Sequence, residues 1–238
     1  MPSPYNLNIQ DSCADCTLPK AGKFCDLSPN ALEDLQQVKF TGMYPKGSTL
    51  FVEGEKPRGV FILCSGKAKL TTSSSEGKTL IVRMAGAGEI LGLGSTILDR
   101  MYEQSAETVE PCQVNFIRRE EFLRLIKMHP EVCLRVAQQL SKSVLSAERD
   151  VRTFGLSQTT SERLARLMLD WCKSGEDTPK GTRMKVLLTH EEIAQMIGTT
   201  RETVTRVMSD FKRRKIIDVK GSTVLVPRTQ SLMDMVTV

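Results

Sequence analysis

Apolar positions along the chain change period twice. Between residues 40 and 118 they come in short runs, STLFVEG, GVFILCSGKAKLTT, KTLIVRMAG and QVNFIR, set apart by Gly47, Gly54, Gly66, Gly77 and Gly88. Such runs, rich in β-branched and aromatic residues and closed by glycine turns, predict a small all-β sandwich or barrel. From Pro130 the spacing lengthens to three and four. Val136, Leu140, Val144, Ala147, Val151 and Phe154 then mark a thin apolar stripe on a helix of about 24 residues, about 36 Å long. Proline suits its first turn, where no backbone N–H is needed. A long helix with so narrow a stripe meets another helix, most simply that of a second copy. The alternative is that the stripe lies on the chain's own β domain.

Beyond a further helical pattern, GLSQTTSERLARLMLDWCK, and a polar stretch expected to be a loop, SGEDTPKGTR, comes LTHEEIAQMIGTTRETVTRVMSDFKRRKIIDVKGSTVLVP. Thr189 and Glu192 have the spacing of a capping box, which starts one helix. Ile193, Met196 and Ile197 supply its buried face, and Gly198 ends it. A second helix starts at Thr199 or Thr200. Val204, Val207, Met208 and Phe211 recur at i, i+3, i+4 and i+7, so they face the core. Arg201, Glu202, Thr205 and Arg206 are left together on the opposite face.

This is the pattern of a helix-turn-helix, whose second helix enters the major groove of double-stranded DNA. Arginine bonds bidentately to guanine, and a carboxylate accepts from cytosine. Lys212, within KRRK, suits phosphate contacts that position without specifying. IIDVKGSTVLVP reads as a hairpin wing turning at Lys220-Gly221. Bland readings stand beside these: Glu202 is three residues after Thr199 and can close a second capping box, and Thr205 can be a bystander on the helix face.

Charge sharpens the picture. The chain has 33 Lys+Arg, 28 Asp+Glu and a net charge of +5. Residues 199–220 alone hold seven basic and three acidic side chains, a local patch suited to a polyanion. At the N-terminus no basic run precedes an apolar segment, and no stretch is apolar enough to span a bilayer. The expectation is a cytoplasmic protein without a membrane partner. Neither G-x-S-x-G, H-E-x-x-H nor a P-loop is present, so an enzyme is not expected. The glycines of GAGEILGLG run G-x-G-x-x-x-G with no βαβ pattern around them, which excludes a dinucleotide loop.

Seven cysteines, an odd and scattered number, argue against a secreted disulfide framework. Cys13, Cys16 and Cys25 nevertheless fall within thirteen positions. With only His129 and His190 as imidazoles, a metal site here is thiolate-rich. Cys64, Cys133 and Cys172 read as packing residues.

Through the helix GTTRETVTR, the β segments FVEGEKPRGVFILCSGKAKL and SSEGKTLIVRMAGAGEILG, and the long helix after them, the chain resembles bacterial transcription regulators of the Crp/Fnr family over essentially its whole length. The resemblance implies an α+β architecture. Residues 1–28 form a cysteine-containing arm, 29–129 a β-roll effector domain of the cyclic-nucleotide-binding, cupin-like kind, 130–155 a dimerisation helix and 156–238 a winged helix-turn-helix. It further implies a homodimer, RNA polymerase as a partner, and base reading by Arg201, Glu202 and Arg206. Their Arg-Glu-x-x-x-Arg spacing is similar to that of members reading TGTGA-type half-sites, whereas the oxygen-sensing branch usually lacks the first arginine.

Members that bind cyclic nucleotide hold its phosphate with an arginine. Here Gln104 stands in that place before Ser105-Ala106, and the segment after Gly88-Glu89-Ile90 is longer than the family pattern, so cyclic nucleotide is not expected. The oxygen-sensing branch holds a [4Fe–4S] cluster on N-terminal cysteines and one distant cysteine. Carried over, those ligands are Cys13, Cys16, Cys25 and Cys112, with eight residues between Cys16 and Cys25 where that branch has five. A thiol–disulfide switch, a zinc site, an inert arm and an unidentified small ligand remain as alternatives. A metal-binding or redox protein without specific DNA binding is the different-class reading.

Overall fold

Strand alternation builds two cores from one sheet. A computed structural model describes Tyr5 and residues 9–16, 23–156 and 159–236, with the side chains of Thr153, Phe154 and Leu156 outside the description. They fall into two units, Met1–Val144 and Leu145–Val238. In the first, α1 (Pro29–Val38) precedes β1 (Lys39–Tyr44), β2 (Thr49–Phe51), β3 (Gly59–Ser65), β4 (Lys67–Ser73), β5 (Thr79–Gly86) and β6 (Ile90–Leu91). Then follow α2 (Leu93–Leu98), β7 (Ser105–Thr108), β8 (Cys112–Arg118), α3 (Arg119–Met128) and α4 (Pro130–Leu156), which runs on into the second unit. The strands pair in the orders β1-β8-β3-β6 and β2-β7-β4-β5.

Successive side chains of β3 point to opposite faces. Phe61 and Leu63 pack with Phe51, Leu70, Leu91 and Val114, drawn from both sheets. Val60 and Ile62 turn the other way and meet Leu32, Leu35, Phe122 and Leu125 of α1 and α3. Burial on both faces explains why this strand reads as one continuous apolar run. Helices α1 and α3, which the strand-dominated pattern did not announce, cover the second face.

The division between units falls inside α4. Val132 and Val136 are buried in the first unit's helix-side core. Glu131 accepts from the backbone N–H of Ser28 at 3.0 Å and from its hydroxyl. Arg135 bonds Asp26 at 2.6 Å, and Gln139 bonds both backbone groups of Ile90. Val136 is thus not on the outer stripe expected of it. Leu140, Val144, Ala147 and Val151 are exposed. The pattern 4-3-4-3 runs back from them through Ala137 to Cys133, both exposed. The seam passes one residue beside Val136, and Phe154 lies outside the described side chains.

The second unit comprises α5 (Thr160–Cys172), β9 (Glu176–Thr178), β10 (Gly181–Lys185), α6 (His190–Ile197), α7 (Arg201–Arg213), β11 (Asp218–Lys220), β12 (Thr223–Val226) and α8 (Thr229–Met233). Its sheet has the order β11-β12-β10-β9. The expected loop SGEDTPKGTR is instead the β9–β10 hairpin, closed by Thr178 Oγ1 donating to the Gly181 carbonyl at 2.6 Å. Its polar composition hid it, because β9 buries almost nothing. Leu164, Met168, Ile193, Val204, Phe211 and Val226 lie at the heart of the core.

Candidate nucleic-acid interface and thiol cavity

The α6–α7 pair is built by its caps. Thr189 and Glu192 exchange bonds in a full capping box, Thr189 N to Glu192 Oε2 at 2.9 Å and Glu192 N to Thr189 Oγ1 at 3.2 Å. Gly198 ends α6 at φ 64°, ψ 49°, left-handed geometry that glycine adopts without strain. Thr200 is the N-cap of α7 and accepts from Thr203 N at 3.3 Å. Thr199 therefore sits in the turn, and Glu202, at the second helical position, closes no capping box with it.

Val204, Val207, Met208 and Phe211 are buried as the spacing requires, and Met196 is only partly buried where Ala194 takes the core position. Arg201, Glu202, Thr205 and Arg206 are all exposed. Thr205 is already engaged within the protein. Its hydroxyl donates to the Arg201 carbonyl at 2.9 Å and lies 2.8 Å from His190 Nδ1. It thus ties the start of α6 to α7, and His190, a residue the periodicity did not single out, shares the surface.

Along the basic run, Arg213 and Arg214 both bond Asp210. The Arg213 bond, with help from Arg214, holds that carboxyl below the usual range. Lys212 is exposed. Lys215 takes φ 56° as the helix stops, and Ile216 N bonds the Phe211 carbonyl at 2.9 Å. In the wing Lys220 pairs with Thr223, so Gly221 and Ser222 make the turn and Lys220 is the last strand residue, exposed.

The cysteines divide in an unexpected way. Cys13, Cys16, Cys25 and Cys64 line one cavity, together with Lys23 and Asn115. Burial first, then the neighbouring thiols of Cys25 and Cys13, push the Cys64 thiol up to about 12. Cys112 is not there. It is fully buried in the core between the sheets, its Sγ against the carbonyls of Glu110 at 3.1 Å and Lys67 at 3.4 Å. The expected set Cys13, Cys16, Cys25 and Cys112 is therefore not assembled, because Cys112 and the arm lie on opposite faces of the β1-β8-β3-β6 sheet. Among the described residues no three His, Cys, Asp or Glu side chains converge on a single metal ion. The four thiols ring a space instead. A cluster with one thiolate per iron spreads its ligands more widely than one tetrahedral zinc does, and four thiols are the donor type such a group takes. Cys133 is exposed and Cys172 half-buried.

Of the effector residues, Ser105 Oγ accepts from Glu53 N at 2.9 Å, and Glu89 bonds Arg83 at 2.6 Å and Gly86 N at 2.9 Å. Gln104 is half-buried beside them in sequence. Among the described residues no helix is long and apolar enough to cross a membrane.

Known proteins share this arrangement. The family described as a cyclic nucleotide-binding domain matches residues 42–129, and that described as a Crp-like helix-turn-helix domain matches residues 162–235. The cAMP-activated global transcriptional regulator CRP of Pasteurella multocida (strain Pm70) is 26% identical over 188 residues, 79% of this chain and 90% of that protein. The CRP-like cAMP-activated global transcriptional regulator of Mycobacterium tuberculosis is 26% identical over 220 residues, 92% of this chain and 97% of that protein. Among solved structures, FixK2 from Bradyrhizobium japonicum superposes with a TM-score of 0.74 at 20% identity, over 84% of this chain and 98% of that one. The c-di-GMP responsive global regulator CLP of Xanthomonas campestris gives 0.76 at 21% identity, over 85% and 100%. With a β-roll and a capped helix-turn-helix matched in the same order along one chain, this protein belongs to the Crp/Fnr family of DNA-binding transcription regulators.

Proposed function

We propose that the chain is a cytoplasmic, homodimeric regulator that reads a palindromic TGTGA-like site, acts with RNA polymerase, and is gated by an oxygen or redox signal through a [4Fe–4S] cluster on its N-terminal cysteines. The observation that carries the DNA reading is the exposure of Arg201, Glu202 and Arg206 on the first turns of α7, opposite the buried Val204, Val207 and Phe211. Arg201 and Arg206 offer bidentate donors to guanine, and Glu202 accepts from cytosine. Lys212 and Lys220 lie where phosphate contacts fix register.

When bound, the cluster would supply a redox-active iron–sulfide group, held by the chain's own cysteine thiolates. This chain's own residues then carry the consequence. Cys25 is followed at once by Asp26 and Ser28, which hold Arg135 and Glu131 of α4. Ordering or releasing the Cys25 segment thus bears directly on the helix whose exposed seam meets a second copy, a local change acting on a two-state element.

The test is a gel-shift titration against a TGTGA palindrome and a scrambled duplex. Arg206→Ala is expected to lose about 1–3 kcal/mol of specific binding, about 5- to 150-fold, with little change on the scrambled duplex. Equal losses on both duplexes would refute base reading.

A further inference from the structure

We propose that Cys64, on the helix-side face of β3, is the fourth thiolate of the N-terminal cysteine site, and that Cys112 is a core residue; this rests on the reading that the arm's cysteines hold a [4Fe–4S] group. Val60 and Ile62 face the helix-side core, Phe61 and Leu63 the inter-sheet core, and Cys64 lines the cavity that it shares with Cys13, Cys16 and Cys25. On β8, Cys112 shares its face with Val114 in the inter-sheet core. β8 pairs regularly with β1 from Lys39↔Ile117 to Tyr44↔Cys112, so moving Cys112 to the other face needs a one-residue slip that would turn every neighbour over as well.

Cys64 also sits at an irregularity. The pairing of β3 with β8 shifts between Leu63 and Ser65, so Cys64 is the extra residue of a bulge. Bulges bend a strand and re-aim a side chain next to functional sites.

The arm is fastened around this point by backbone bonds. Gln10 and Gln113 exchange two, at 2.8 and 2.7 Å, and Cys13 N donates to Gln36 Oε1 at 3.0 Å. Phe24 N bonds the Gly88 carbonyl at 3.2 Å, and Gly88 N bonds the Leu63 carbonyl at 2.7 Å. The residue before Cys25 is thus two hydrogen bonds from the residue before Cys64.

Cys112, by contrast, is sealed in. A Cβ on Gly66, which has φ +83°, would stand 2.5 Å from Cys112 Sγ, so the β3–β4 turn closes over the sulfur and only glycine permits it.

The experiment is iron and acid-labile sulfide analysis with visible absorption on the full chain purified without oxygen, for wild type, Cys64→Ala, Cys64→Ser and Cys112→Ala. Circular dichroism establishes that each variant folds. The expected result is about four irons per chain in wild type and folded Cys112→Ala, and well under one in the Cys64 variants. Loss of iron from folded Cys112→Ala, or full retention in either Cys64 variant, would overturn the assignment. Should both Cys64 variants fail to fold, the iron content of Cys112→Ala decides alone. A wild type that carries no iron sinks the underlying cluster reading itself, a result distinct from any pattern among variants.

Discussion

At Thr205 one hydroxyl does two jobs inside the protein, donating to the Arg201 carbonyl and meeting His190 Nδ1. A side chain so engaged aligns two helices before any DNA arrives. Thr205→Val keeps the shape and removes both bonds; it is expected to lower stability by about 0.5–1.5 kcal/mol in a denaturant titration. Base discrimination should change far less than in Arg206→Ala.

Cys112 gives a pH signature. Burial pushes its thiol up to about 11 from an ordinary value of 9.0, so the fold holds the neutral form. As pH climbs past about 9, the unfolded chain gains from ionising this group while the folded chain does not. Stability should therefore decline between about pH 9 and 11, and Cys112→Ala should flatten that decline in melts taken across the range.

These residues also show what a sequence reveals. Arg201, Glu202 and Arg206 were legible because caps, turn and core face agree on one register. Cys64 was not, since a strand buried on both faces has no alternation to read, and a bulge is invisible in composition. Cys112 looked like the distant ligand by chain position, yet strand parity, which needs the actual sheet, decides where its sulfur points.

Among elements, α4 carries the most contrast between its two sides. One side is pinned by Glu131, Arg135, Val136 and Gln139 to the β-roll. The other leaves Ala137, Leu140, Val144, Ala147 and Val151 exposed, Val144 at 58% and Val151 at 70%. An exposed heptad stripe of this kind suits a coiled-coil seam. Val144→Asp places a carboxylate in it and is expected to shift the protein from dimer to monomer in sedimentation equilibrium, leaving helix content in circular dichroism largely intact. The sequence pattern located this exposed stripe to within one residue. It failed at Val136 because spacings of three and four fit two adjacent stripes until the core claims one of them.

For the whole molecule, the positive charge concentrated in residues 199–220 sets how binding responds to salt. Each phosphate contact releases counterions, so affinity falls with ionic strength in proportion to the number made. Lys212→Ala is expected to weaken binding about equally on all sequences and to reduce the slope of log affinity against log salt by about 1. A titration at several salt concentrations reads both. Two α7 helices on a symmetric dimer should favour half-sites one helical turn apart, about 34–36 Å.

The Gln10–Gln113 clasp has a consequence in time. Its partners are 103 residues apart, as are Ser28 and Glu131. At about 5–20 residues per second, the ribosome needs about 5 to 20 seconds after making the arm to make the strand that secures it. Contacts this distant in sequence close late. The first thiols synthesised thus wait for their shelter, and for those seconds every newborn copy offers Cys13, Cys16 and Cys25 to whatever metal or oxidant the cell then contains.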